Sequence, residues 1–149
     1  MKQNLDRLKT RWVCNSTKQM YDVAMLNIDG DYAQVQGHFS DEYTPIEEVK
    51  ISDGVLIQCT GLKDKNGKLI YEGDILEYDL LDSNGNICET DSAKYVVSFE
   101  YGGFGMRVCD EYEPDFEYVV EHFGIEEDNS FCEARVIGNI YENPELLKS

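Results

Sequence analysis

The fold is decided by the stretch CTGLKDKNGKLIYEGDI, residues 59–75, together with the tail VIGNIYENPELL, residues 136–147. Both stretches consist of short apolar runs separated by residues that make tight turns, such as Asn66-Gly67 and Asn143-Pro144. Neither stretch repeats a reactive side chain at a spacing that would assemble a catalytic or metal site. The pattern therefore predicts short strands joined by turns, and it indicates how the chain is built more than what it does.

Alternation of apolar and polar residues predicts β-strands along most of the chain. The expected strands are 5–14, 19–28, 32–36, 55–59, 75–81, 94–101, 104–108 and 134–141. Polar turns separate the first three strands, which predicts an N-terminal β-meander. We expect one domain, or two small units at 1–53 (the β-meander) and 54–149 (a β-barrel unit).

Two short segments carry the signals of a helix start. Thr44 and Pro45 ahead of Glu47 form a capping box, which predicts a helical turn near 44–50. Asn143 followed by Pro144 predicts another short turn near 143–148, because Pro is favoured at the first helical position.

A longer helix is predicted near 114–123. Phe116, Val119, Val120 and Phe123 follow the spacing of one helix face, with Pro114 at the start of the segment. The whole pattern predicts a mainly β, β-rich α+β fold, in which a strongly bent antiparallel sheet or small barrel carries this one covering helix.

Residues 59–75 and 136–147 resemble the most recognisable stretches of the YopX family of bacteriophage and prophage proteins. The segment LKTRW, residues 8–12, followed by KQM, residues 18–20, is also similar to the opening strand pair of that family. The family usually places a spacer between Arg and Trp, whereas Arg11 and Trp12 are adjacent here. The resemblance implies a β-rich fold, a phage or prophage origin and the cytoplasm of the bacterial host, and it carries no biochemical activity.

The charge of the chain excludes several classes of partner. The net charge is −17, which repels the phosphates of DNA or RNA and an anionic membrane surface. Residues 110–128, here called the acidic segment, hold nine acids and no Lys or Arg. The acids of the candidate partner surface are Asp110, Glu111, Glu113, Glu117, Glu121, Glu126, Glu127 and Asp128. Basic residues gather instead in residues 1–20, which favours a head-to-tail homo-oligomer.

The reactive side chains do not form a recognisable active site. The five cysteines have no C-x-x-C spacing, and neither His38 nor His122 has a second ligand at metal spacing. We therefore expect no cofactor, no metal and no enzymatic activity. The leading hypothesis is a protein-interaction module that uses its acidic surface. The alternatives are a DNA-mimicking inhibitor of a host nucleic-acid-binding protein and an enzyme with an unrecognised active site.

Overall fold

A computed structural model describes residues 5–37, 45–100, 103–108, 118–119 and 134–147 of the chain. These residues form antiparallel strands and short 3-10 helices, so the predicted mainly β class is confirmed. The strands are β1 Thr10–Cys14, β2 Met20–Asn27, β3 Tyr32–Gly37, β4 Glu47–Lys50, β5 Gly54–Lys63, β6 Leu69–Tyr71, β7 Asp74–Leu81, β8 Ile87–Glu100, β9 Gly103–Val108, β10 Tyr118–Val119 and β11 Arg135–Asn139. The 3-10 helices are Asp6–Leu8, Ile51–Asp53 and Pro144–Leu147. None of the described helices has the length and apolar character needed to cross a membrane.

The first sheet has the strand order β4-β3-β2-β1-β5-β6. Neighbouring residues of β1 point to opposite faces, so Trp12 and Val13 enter two different apolar clusters. Trp12 packs with the buried Ala33 and Val35, and its indole N–H donates to the carbonyl of Ile51 at 3.1 Å. The other cluster consists of Val13, Met20, Ile57, Cys59 and Tyr71.

The second sheet has the strand order β10-β9-β8-β7-β11. Its apolar face contributes Leu76, Val97 and Met106 to a third cluster, which is completed by Ile70 and Ala134. Because Ile70 belongs to β6 of the first sheet, this cluster packs the two sheets against each other.

The chain passes from the first sheet to the second between Tyr71 and Asp74. Gly73, within this link, donates its N–H to the carbonyl of Val97 at 2.8 Å and accepts the N–H of Ile140 at 2.9 Å. We call this region, where residues 59–75 meet residues 134–143, the junction.

The prediction of a small barrel is wrong for the described part of the chain. Both sheets are open, because the outer strands β4 and β6 do not pair with each other, and neither do β10 and β11. The physical reason is that β1 takes β5 as its second partner, with Thr10 opposite Gln58, and the chain then leaves this sheet at Gly73. The predicted division into 1–53 and 54–149 stays a prediction.

The predicted helical turn near 44–50 is also wrong where the structure describes it. Glu47–Lys50 form β4, which pairs antiparallel with β3 so that Val49 lies opposite Ala33. Val49 packs against the cluster around Trp12. Pairing and burial of a β-branched residue therefore outweigh the local capping signal. Thr44 lies outside the described residues.

The predicted helix near 114–123 is wrong at the two positions that the structure describes. Tyr118 and Val119 form strand β10, which pairs with Arg107 and Met106 of β9. A sheet edge offers backbone partners for these residues, which the apolar spacing alone could not reveal. The rest of 114–123 lies outside the described residues. The last predicted turn is present as the 3-10 helix Pro144–Leu147.

Candidate functional site

Four polar or charged residues are buried in the described part of the chain: Arg11, Asp64, Asp74 and Asn139. Buried charges occur mostly where they are paired or hydrogen-bonded, and they often mark functional sites. Three of the four lie in residues 59–75 or 136–147, and Arg11 stacks on Tyr71 of the first stretch. The junction is therefore the candidate site that the structure singles out.

Asp64 connects the two sheets through its carboxylate. One oxygen accepts the backbone N–H groups of Asn66 and Lys68, each at 2.9 Å, and this arrangement shapes the turn between β5 and β6. The other oxygen accepts the N–H of Val136 on β11, also at 2.9 Å. The carbonyl of Ala134 accepts the N–H of Lys65 at 2.9 Å beside it. Asp64 and its turn thus cover the outer edge of β11, where a further strand would otherwise pair.

The same turn occurs a second time, between β7 and β8. Both copies follow the pattern Asp-x-Asn-Gly-x, at residues 64–68 and 82–86. Asp82 accepts the N–H groups of Asn84 and Asn86 at 2.8 and 2.9 Å, and Gly85 has a positive φ of 84°. Asp82 is exposed, whereas Asp64 is buried and makes the additional bond to Val136. The local turn therefore needs only the motif, and the inter-sheet bond is the specific property of Asp64.

Asp74 holds the chain where it enters the second sheet. One carboxylate oxygen accepts the N–H of Tyr71 at 2.8 Å, a common role for an Asp side chain in a turn. Only 3% of the residue is exposed. Burial raises the pKa of Asp74 to about 6, although the Tyr71 N–H and the Arg11 guanidinium act to lower it.

Gly73 is required beside Asp74 for two reasons. Its φ is +85°, in the left-handed region that favours glycine. A Cβ atom at this position would lie 2.9 Å from Cε2 of Tyr141, which is closer than packed carbon atoms approach. The tail at Tyr141 and the link between the sheets therefore fit together only around glycine.

Arg11 covers the junction from β1. Its guanidinium carbon lies 3.7 Å from the centre of the Tyr71 ring, a stacked cation–π arrangement. Its Nε atom lies 3.4 Å from Oδ1 of Asp22, whose side chain is half-exposed. Burial raises the pKa of Tyr71 to about 12, so the ring stays neutral under the cation at ordinary pH.

Asn139 closes the junction on the side of the tail. Its side-chain oxygen accepts the N–H groups of Tyr141 and Glu142, at 3.0 and 2.8 Å. Asn143 accepts the N–H of Asn139 in return, at 3.2 Å. These bonds turn the chain directly after β11 and bring Tyr141 against Gly73.

The junction uses its polar groups to satisfy backbone donors, which is the chemistry of a structural joint. Both oxygens of Asp64, one oxygen of Asp74 and the side-chain oxygen of Asn139 accept backbone N–H groups. Among the described residues, no cluster of three or more His, Cys, Asp or Glu side chains has the geometry to hold a metal ion.

A partly exposed ion network lies on the second sheet. Arg135 of β11 donates to Asp79 at 2.9 Å and also to Glu77, both on β7. The hydrogen bond from Arg135 lowers the pKa of Asp79. Lys65 lies 3.6 Å from the other oxygen of Asp79. The network ties β11 to β7 and to the Asp64 turn.

Cys14 lies at the end of β1, where the chain turns into β2. Its sulfur lies 3.3 Å from the hydroxyl oxygen of Ser16. Hydrogen bonds from Ser16 and then Thr17 lower the pKa of the Cys14 thiol to about 6. Cys59 differs, because burial raises the pKa of its thiol. Cys14, Cys59 and Cys88 are free thiols.

The candidate partner surface predicted from sequence lies outside the described residues. This applies to Asp110, Glu111, Glu113, Glu117, Glu121, Glu126, Glu127 and Asp128. The sequence did not reveal the buried roles of Arg11 and Asp64. The available signal was the repetition of Asp-x-Asn-Gly-x, although the motif alone does not distinguish the buried copy from the exposed one.

Comparison with known proteins identifies the family. The family model described as YopX protein matches residues 11–148. The chain belongs to the YopX family. The matched range contains both stretches that form the junction. The function of the YopX family is uncharacterised.

Two solved structures are similar to this YopX-family chain. Protein EF1440 from Enterococcus faecalis has a TM-score of 0.50 and 27% identity, over 94% of this chain and 97% of that chain. Protein yopX from Bacillus subtilis has a TM-score of 0.48 and 20% identity, over 94% of this chain and 98% of that chain. No curated protein matches the chain.

Proposed function

We propose that this YopX-family chain is a non-enzymatic interaction protein of phage or prophage origin, which acts in the cytoplasm of a bacterial host. It binds a protein partner through the acidic segment, residues 110–128. The observation that carries the proposal is the concentration of nine acids without one basic residue in that segment. Such a surface attracts a basic partner and accelerates its encounter.

The described part of the chain supports a non-catalytic role. The buried carboxylates Asp64 and Asp74 are engaged by backbone N–H groups, in turns that the fold needs. Catalytic acids and bases instead require access to a substrate at hydrogen-bond distance. The buried carboxylates of the junction therefore have a structural explanation, which supports the proposal of a non-catalytic role.

Strand β10 is the part of the acidic segment that the structure describes. Tyr118 and Val119 belong to this segment and form the outer strand of the second sheet. The opposite edge, β11, is covered by the Asp64 turn. Tyr118 and Val119 thus lie at one edge of the second sheet and the Asp64 turn lies at the other, which supports a binding surface separate from the structural joint.

The test reverses three acids and measures partner capture. The variant Glu113→Lys/Glu117→Lys/Glu121→Lys is immobilised beside the wild-type chain in bacterial host lysate, and retained proteins are quantified by mass spectrometry. We expect the variant to fold, as judged by circular dichroism, and to lose the proteins that the wild type retains. A folded variant that retains all of them would move the binding surface elsewhere.

A matched control carries the same change in charge at a different place. Glu47, Glu48 and Glu145 are exposed, and the triple variant to Lys at these positions should keep the captured proteins. Loss of the captured proteins in both triple variants would show that capture depends only on the net charge of the chain. Addition of duplex DNA as competitor separates the two kinds of partner, because a DNA-mimicking inhibitor would capture proteins that DNA releases.

A further inference from the structure

Asp74 has an unusual environment for an ionisable group. The residue is 3% exposed, and the one hydrogen bond of its carboxylate within the described chain is the 2.8 Å bond from the N–H of Tyr71. An ionised carboxylate normally requires several donors to offset the loss of water. Asp74 therefore has a weaker set of donors than Asp64, which accepts three backbone N–H groups.

The charges that face Asp74 come from both sides of the junction. Arg11 on β1 and Lys68 in the β5–β6 turn favour the ionised carboxylate, whereas Asp64 in the same turn disfavours it. Tyr71 on β6 contributes its backbone N–H, and Asn139 on β11 pairs with Asp74 in the strand ladder. Burial raises the pKa of Asp74 by more than these groups lower it, so the carboxyl holds its proton more strongly than in an unfolded chain.

The link that contains Asp74 is bonded to both sheets. Gly73 donates to Val97 and accepts from Ile140, and the tail packs on Gly73 through Tyr141. Asp74 directly follows this link and is buried, so water gains access to its carboxylate when the structure around it opens. Ionisation of Asp74 and opening of the link are therefore thermodynamically coupled.

We propose that Asp74 is a proton-responsive latch at the junction, which tightens the link between the two sheets when its carboxyl takes up a proton and loosens it when the proton leaves. The sign follows from the stronger proton binding of the closed form. The stabilisation is complete below the ordinary pKa of an aspartate and is lost as the pH rises through about 6.

Native-state hydrogen exchange of the Gly73 and Ile140 amides tests the latch. After correction for the intrinsic pH dependence of exchange, we expect protection to be about tenfold higher at pH 5 than at pH 7. In Asp74→Asn this difference should disappear at both amides. The Ile51 amide, which donates to the carbonyl of Asp31 at 3.2 Å in the turn between β2 and β3, serves as a reference for general effects of pH.

Two further variants keep the test decisive. Burial also raises the pKa of Glu72 in the same link, so Glu72→Gln is the matched control and should retain the tenfold difference. In Arg11→Met the loss of the neighbouring cation should shift the transition to higher pH. Equal protection at pH 5 and 7 in the wild type would overturn the proposal even if Asp74→Asn did not fold. Loss of the difference in Glu72→Gln, but not in Asp74→Asn, would assign it to Glu72 instead.

Discussion

Replacement of Asp64 by Ala should destabilise the protein far more than the same replacement of Asp82. The two residues occupy equivalent positions in two copies of one turn and each accepts two local N–H groups. Only Asp64 also bonds the N–H of Val136, and only Asp64 is buried. The pair therefore separates the contribution of the turn from that of the inter-sheet bond.

The expected magnitudes follow from these contacts. Hydrogen bonds to a charged group contribute roughly 1.5–3 kcal/mol, and a buried donor left without a partner costs about 1–3 kcal/mol. Since such terms are not fully additive, we expect Asp64→Ala to lower the free energy of unfolding by about 3–5 kcal/mol. Water replaces the exposed carboxylate in Asp82→Ala, so that loss should be much smaller.

Urea denaturation at neutral pH, followed by circular dichroism, measures both values. The larger loss is a substantial part of the ordinary stability of a domain, about 5–15 kcal/mol, so Asp64→Ala is close to the limit of folding. Asp64→Asn and Asp82→Asn form a milder pair, because the amide keeps one acceptor oxygen. Equal losses within either pair would refute the view that Asp64 joins the sheets.

Three further predictions concern other parts of the chain. Gly73→Val should lower the free energy of unfolding more than Asp74→Ala, because valine is strained at the positive φ of this position and collides with the packed tail. Glu111→Ala should change the free energy of unfolding by less than about 0.5 kcal/mol. Denaturant melts that rank the three variants in a different order would contradict this prediction. Ser16→Ala should raise the pKa of Cys14 from about 6 and slow its alkylation by iodoacetamide at pH 7. An unchanged rate at that cysteine would show that the hydroxyl does not stabilise the thiolate. The chain should self-associate at low salt and dissociate at high salt, because its basic and acidic residues gather in different segments; light scattering that gives only a monomer at both salt concentrations would exclude this.

Much of the strand arrangement could be predicted from the sequence. Alternation around Tyr32–Gly37 and Asp74–Leu81, and the turn at Asn66-Gly67, are local signals that the structure contains as β3, β7 and the β5–β6 turn. The structural role of Asp74 was also predictable, since an Asp after Gly at a strand start commonly accepts backbone N–H groups.

The incorrect predictions of a helical turn, a helix and a barrel have a common physical origin, because each was overruled by contacts between distant segments. The capping signal at 44–47 is local, but Val49 gains more by pairing with β3 and packing near Trp12. The apolar spacing at 116–123 ignores the backbone partners that β9 offers to Tyr118 and Val119. The pairing partners of β1 and β11 likewise depend on the whole chain, so the sequence predicted a strongly bent antiparallel sheet or a small barrel, whereas the structure has two open antiparallel sheets.

The buried site was beyond sequence reasoning for the same reason. Nothing in Asp64 or Asp82 alone tells which carboxylate will meet the N–H of Val136, because this contact joins residues far apart in the chain. Arg11 lies in a short basic run, where a solvated charge is the default expectation, and its burial depends on Tyr71.

The two recognisable stretches of this YopX-family chain form a structural joint, and we propose that partner binding belongs to the acidic segment instead. One capture measurement tests it directly. Asp64→Asn and the variant Glu113→Lys/Glu117→Lys/Glu121→Lys, both shown to be folded, are compared with the wild type in the same bacterial host lysate. We predict that Asp64→Asn retains the captured partner and that the acid-reversed variant loses it. Retention by the acid-reversed variant together with loss in Asp64→Asn would place the function at the junction and contradict the claim.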